Sequence, residues 1–343
     1  MSGARPRNCV VKTWDSPGTD HRVGFEDRTP WLIVFGILEV LLGLLFALIV
    51  PFLFIGTIAV ASLEESSAAS PTVAMLVPSL LVYLLLSVWF IWLGIGSILA
   101  RRWARALLLI TSWFWLVTGI IVLLFVLIFS KGINDQIIGA GEMPPGTAVV
   151  VNIIIFGVTG LFYVVIPGIL VLFYRSKHVK STCERKDPRV RWTDRCPLPV
   201  LAISLGSGIA AFCMPLTGFY GWAIPFFGTI VTGIAGAAVA LSGMCLLGYI
   251  ALGAYRLSLQ AWWCALAGII AWGISAVLTF SSDGLLEYYE TMNFSEGQME
   301  LIRQFTQSHS AWFMVLSLMW IVVPVGFLLY TKRYFVRPPE LPS

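Results

Sequence analysis

Charge is what this chain of 343 residues has least of. Asp, Glu, Lys and Arg make up only 12% of it, against about 25% in soluble domains, while 58% is hydrophobic. A water-soluble fold with this composition would lack the polar surface to cover its core, so the bilayer is the expected solvent. Histidine is scarce too, with three residues. No His-Glu-x-x-His, Gly-x-Ser-x-Gly, P-loop or Gly-x-Gly-x-x-Gly pattern occurs, and no paired intramembrane aspartates. Familiar hydrolase and nucleotide-enzyme signatures are thereby excluded, and neither enzymatic activity nor a cofactor is expected. The first 30 residues also lack a short apolar stretch followed by a cleavage site, so no removable secretory leader is expected.

What the chain does have is long charge-free runs. Lys, Arg, Asp and Glu are absent from 66–100, 106–130, 143–174, 196–255, 257–282 and 304–331, and 29–63 holds only Glu39. A spanning helix needs about 20 mostly apolar residues. Six of the seven runs fit one helix each, and 196–255 fits a hairpin of two, turning at "MPLTGFYG" (214–221). The expectation is an all-α, polytopic transmembrane bundle of about eight helices, near 31–61, 73–100, 106–130, 147–174, 198–216, 222–250, 259–281 and 311–331. The runs are continuously apolar rather than alternating, which disfavours a β-barrel.

The basic residues give an independent check. Under eight helices, 20 of the 22 Lys and Arg fall on one side, leaving Lys131 and Arg303 on the other. The positive-inside rule then places both termini in the cytoplasm. The implied organisation is a cytoplasmic tail (1–30), a first four-helix unit (31–174), a basic linker (175–197), a second four-helix unit (198–331) with an outer loop (282–310), and a tail (332–343). The net charge of +4 reflects this inward bias, so no nucleic acid is expected as a partner. Membrane lipids are the expected neighbours of the bases.

The two units resemble each other. "WFWLVTGII" (113–121) pairs with "WWCALAGII" (262–270), and "IPGILVLFYRSK" (166–177) with "VPVGFLLYTKR" (323–333). A tandem 4+4 repeat follows, its halves related by an axis along the membrane normal. In the sixth helix, Gly233 with Ala237 and Gly236 with Ala240 place small residues four apart, making that helix the expected packing centre.

Glu39 is the one ionisable acid or base inside an expected span. Its readings are a structural hydrogen bond, a coupling or ligand-contacting group, or a position near the headgroups through helix tilt. Pro51 follows in the same helix and is expected to kink it. In the linker, His178, Cys183 and Cys196 are candidate metal ligands, with Cys9 and His21 of the tail as possible additions. The spacing lacks paired knuckles, so no metal site is expected. A reducing cytoplasm likewise argues against a Cys183–Cys196 disulfide. Arg185, Lys186, Arg189, Arg191, Trp192 and Arg195 are candidate contacts for anionic lipid or a partner. Asp187-Pro188 and "CPLP" (196–199) impose turns where the chain re-enters the membrane.

The linker's order Phe-Tyr-x-Ser-x-His-Val, Thr-Cys-Glu, Asp-Pro, Arg-Trp-Thr-Asp-Arg-Cys-Pro-Leu-Pro (173–199) resembles a segment of uncharacterised multi-pass membrane proteins of bacteria. That resemblance implies a bacterial inner membrane and carries no activity. In the outer loop, Ser295 and Gln298 form a capping box expected to start a short helix, with Met299, Ile302 and Phe305 on one face. The function expected is that of a non-catalytic scaffold or accessory subunit, with a partner membrane subunit. The alternative is a small-molecule carrier or channel with a site between the repeats involving Glu39.

Overall fold

The computed structural model describes residues 26–63, 71–139, 145–280, 284–290 and 296–336. The chain is an all-α polytopic bundle: among the described residues, eight helical segments are long and apolar enough to cross a membrane. It is an integral membrane protein. With no water in the hydrocarbon to satisfy them, the backbone groups of these runs bond within helices. The first half consists of α1 (Thr29–Leu63), α2 (Pro71–Ile98), α3 (Arg102–Gly139) and a fourth span of α4 (Pro145–Gly160), a π-helical turn (Leu161–Val165) and α5 (Ile166–Arg175). The linker forms α6 (Lys177–Lys186) and a 3-10 turn (Trp192–Arg195). The second half has α7 (Leu198–Cys213), a 3-10 segment (Met214–Tyr220), β1 (Ile224–Phe226), β2 (Thr229–Val231), α8 (Gly233–Tyr255), α9 (Leu259–Phe280), α10 (Gly284–Glu290) and α11 (Glu296–Val336).

Local chemistry sets these boundaries. Asp27 accepts hydrogen bonds from the backbone N–H (2.9 Å) and hydroxyl (2.6 Å) of Thr29, and Pro30 occupies the first turn of α1, where its missing N–H costs nothing. The turns α2–α3 and α8–α9 are built alike. Ala100 (φ 50°) and Leu257 (φ 58°) take the left-handed conformation. Ala100 N–H donates to Ser97 O and Arg101 N–H to Gly96 O; Leu257 N–H donates to Ala254 O and Ser258 N–H to Gly253 O. Both are Schellman motifs, and in both the glycine abuts the Cβ eight residues on, Ala104 and Ala261.

Two spans differ from the sequence expectation. Residues 222–232 do not begin the sixth helix. They hold an antiparallel hairpin that turns at Phe227 and Gly228, both at positive φ. The reason is hydrogen bonding: α9 offers hydroxyls at this level, Ser275 accepting from Phe227 N–H at 2.9 Å and Thr279 from Gly228 N–H at 3.0 Å. Non-helical backbone is tolerated there because protein satisfies it. At the other end, α11 runs unbroken from Glu296 through the eighth span, so the second part of the outer loop belongs to that helix. Ser295 and the side chains of Ile302 and Phe305 lie outside the described residues.

The closest helix packing lies in the first half, not on α8. A Cβ on Gly36 would lie 2.8 Å from Gly94 O, one on Gly94 would lie 2.6 Å from Gly36 O, and one on Gly43 would lie 2.9 Å from Ile91 N. Small residues seven apart on each helix, Gly36 and Gly43 against Ser87 and Gly94, let the backbones of α1 and α2 touch. On α8, Gly236 instead seats the hairpin backbone at Trp222, and nothing lies against Gly233.

Two buried cores result. One gathers Leu32, Leu93, Leu107, Leu108, Tyr174 and Val179. The other gathers Val200, Leu201, Ile250, Trp262, Leu328 and Phe335, with Leu198 and Leu205 packed against both. Outward faces stay apolar, as with Phe52, Ile153 and Leu172, as lipid contact requires.

Candidate functional site

Glu39 is buried, 4% exposed, beside the α1–α2 seam. Its Oε1 lies 2.9 Å from the hydroxyl of Tyr174 on α5, which lies 2.8 Å from Ser97 Oγ on α2; Ser97 Oγ lies 3.1 Å from Leu32 O. Three helices thus meet in one polar cluster, with Ser97 and Tyr174 both buried. The Tyr174 hydroxyl donates to Glu39 Oε1, and the Ser97 hydroxyl donates to Leu32 O while lying against the Tyr174 hydroxyl. The cluster ties three helices through one acid and two hydroxyls. Tyr174 and Ser97 both belong to the first half.

The linker forms a second cluster at the N-terminal end of α3. Val179 and Cys183 of α6 enter the first core, while its polar face meets Arg101, Arg102 and Arg105. Asp187, 2% exposed, accepts from Arg191 Nε (3.1 Å) and Nη2 (2.9 Å), with Arg101 at 3.8 Å. Burial pushes its carboxyl up, but Arg191, the Arg102 backbone N–H and Arg101 outweigh that and hold it below the ordinary carboxylate range. The stability it confers is complete above an ordinary carboxylate pKa of about 4 and is lost as pH falls through the lowered native value. Asp187→Asn should cost about 1 kcal/mol at neutral pH, a modest figure because Arg191 is partly exposed. Thermal unfolding checks this: the gap to wild type should close as pH falls through and below the ordinary carboxylate range.

The candidate metal ligands separate. Cys183 and Cys196 are buried and line one cavity, which His178 does not line. The His178 carbonyl accepts from Ser181 and Thr182. Both cysteines are free, and burial pushes each thiol up to about 11, away from the thiolate a metal binds. No group of three His, Cys, Asp or Glu placed to hold a metal occurs among the described residues. Cys9 and His21 lie outside them.

Among the basic candidates, Arg185, Lys186, Arg189 and Arg195 are exposed, while Arg191 is held by Asp187. Trp192 is exposed at its ring, and its carbonyl accepts from Tyr255 OH at 3.0 Å, tying the linker to α8. Sequence reasoning missed Tyr174 as the partner of Glu39 and Ser97 as the partner of Tyr174, since hydroxyls in apolar runs carry no signal of their own. It also missed the pairing of Arg102 with Glu184 (3.4 Å) and Asp194 (3.7 Å), although the opposite charges of two same-side loops were a usable clue. Comparison with protein-family models, curated proteins and solved structures finds no match to this chain.

Proposed function

We propose that this protein is a non-catalytic scaffold or accessory subunit of a membrane complex, in a bacterial inner membrane with both termini cytoplasmic. The observation that carries the reading is the Glu39 cluster. The acid that a carrier would use is buried against Tyr174 and Ser97 and does not line the cavity at the linker. The charge bias supports the orientation, and the central-loop resemblance supports the bacterial membrane.

A tandem 4+4 repeat belongs to the same reading. Gly96 and Gly253, Ala104 and Ala261, and Pro167 and Pro324 are each 157 positions apart, and the first two pairs occupy matching turns. "DRTP" (27–30) opens the first helix of the first unit, and "DRCP" (194–197) precedes that of the second. The Trp113–Trp262 pairing is out of this register by eight residues, and its members differ: Trp113 is exposed, whereas Trp262 is buried and donates to Leu328 O at 2.9 Å.

A partner would engage the exposed bases of the linker and the outer loop. Neutralising Arg185, Lys186, Arg189 and Arg195 together, or truncating 282–310, should release a co-purifying subunit. Unchanged stoichiometry in both variants would contradict those surfaces. A second reading, the carrier, has one observation in its favour: Glu39 Oε2 is buried without a hydrogen-bond partner.

A further inference from the structure

The N-terminal end of α3, the polar face of α6 and the 3-10 turn enclose a cavity of about 170 Å3 at the cytoplasmic end of the bundle. Its walls include Arg102, Arg105, Lys180, Glu184, Thr193 and Asp194, three bases against two acids. Both acids have cationic partners: Arg102 reaches Glu184 and Asp194, and Lys180 reaches Glu184 at 3.8 Å. Arg105, half-buried, forms no ion pair among the described residues and feels Glu184 and Asp194 only at longer range, and its buried Nε lacks a hydrogen-bond partner. Thr193 is 2% exposed, and its Oγ1 is also buried without a partner.

Two unpartnered donors thus line one cavity whose acids are already neutralised. A buried guanidinium N–H left without an acceptor is costly, and an oxyanion is a group that satisfies it. We propose that this cavity binds a phosphate group, held by the Arg105 guanidinium and the Thr193 hydroxyl, with Arg102 and Lys180 adding positive charge. Four oxygens around one phosphorus can accept from several donors at once, which a single carboxylate does less well. The nearby Cys183 and Cys196 thiols, raised by burial, stay uncharged and do not repel an anion. At this depth the phosphate is either that of a lipid headgroup or a soluble one.

The test uses full-length protein, delipidated in phosphate-free buffer. One arm measures retention of phosphatidylglycerol and of phosphatidylcholine by native mass spectrometry; the other measures thermal stabilisation by inorganic phosphate. Lipid retention without a response to inorganic phosphate assigns a headgroup site, and a response to inorganic phosphate assigns a soluble one. In either case Arg105→Gln and Thr193→Val should weaken binding about tenfold, and Arg189→Gln, outside the cavity, should not. Thr193→Val guards against a folding artefact. With nothing bound, deleting an unpartnered buried hydroxyl is neutral or stabilising, so weaker binding in a stable variant identifies the ligand contact. The proposal is overturned if neither phosphate source binds, or if binding is equal in wild type and in both cavity variants.

Discussion

Gly36→Leu is expected to destabilise the protein by about 3 kcal/mol, the upper end for overpacking a buried contact. Besides the Ile98 side chain at 2.7 Å, a side chain would meet backbone: Gly94 O at 2.8 Å and Ile98 N at 2.9 Å from a Cβ. Rotamer adjustment cannot relieve such contacts, so α1 and α2 must separate along the seam. Gly94→Leu should act alike, because its Cβ meets Gly36 O at 2.6 Å and Val40 N at 2.9 Å. Gly157→Leu is the control, having nothing within 4 Å, and should stay within about 0.5 kcal/mol of wild type. Reversible unfolding in a bilayer or mild detergent gives the comparison. Equal losses at Gly36 and Gly157 would mean that the seam is not where the first half is held together.

The second large effect concerns Glu39, where the nature of the substitution matters more than its size. Glu39→Ala should cost about 2–3 kcal/mol, since it opens a cavity among three helices and strips Tyr174 of a buried partner. Glu39→Gln should cost less than about 1 kcal/mol, because the amide oxygen can still accept from the Tyr174 hydroxyl as the carboxyl oxygen does. Combining Glu39→Leu with Tyr174→Phe should cost less than the sum of the single changes, as removing both partners leaves fewer buried orphans. Unfolding of the five variants, the two single changes of the pair included, tests this. A Gln variant as damaged as the Ala variant would show that the contact requires a carboxylate.

The span count was legible because it depends on where charge is absent, which a one-dimensional reading captures. The hairpin before α8 was not. Residues 222–232 are as apolar as their neighbours, and what keeps them from being helical is a pair of α9 hydroxyls about 50 positions later. The packing centre was misplaced for a related reason. Small residues four apart on α8 were visible, but whether glycine meets a helix or a hairpin depends on partners. The actual seam used spacings of seven shared between α1 and α2. Glu39 stood out as an intramembrane acid, while the hydroxyl that donates to it belongs to Tyr174, 135 positions away. The phosphate cavity was out of reach because Arg105 and Thr193 gain meaning only from what they lack in three dimensions.

Native mass spectrometry of the wild-type and Glu39→Gln proteins, extracted gently from their own membrane, tests the scaffold account most directly. The account predicts a partner subunit at fixed stoichiometry in both. A protein that carries no partner in either form would contradict it.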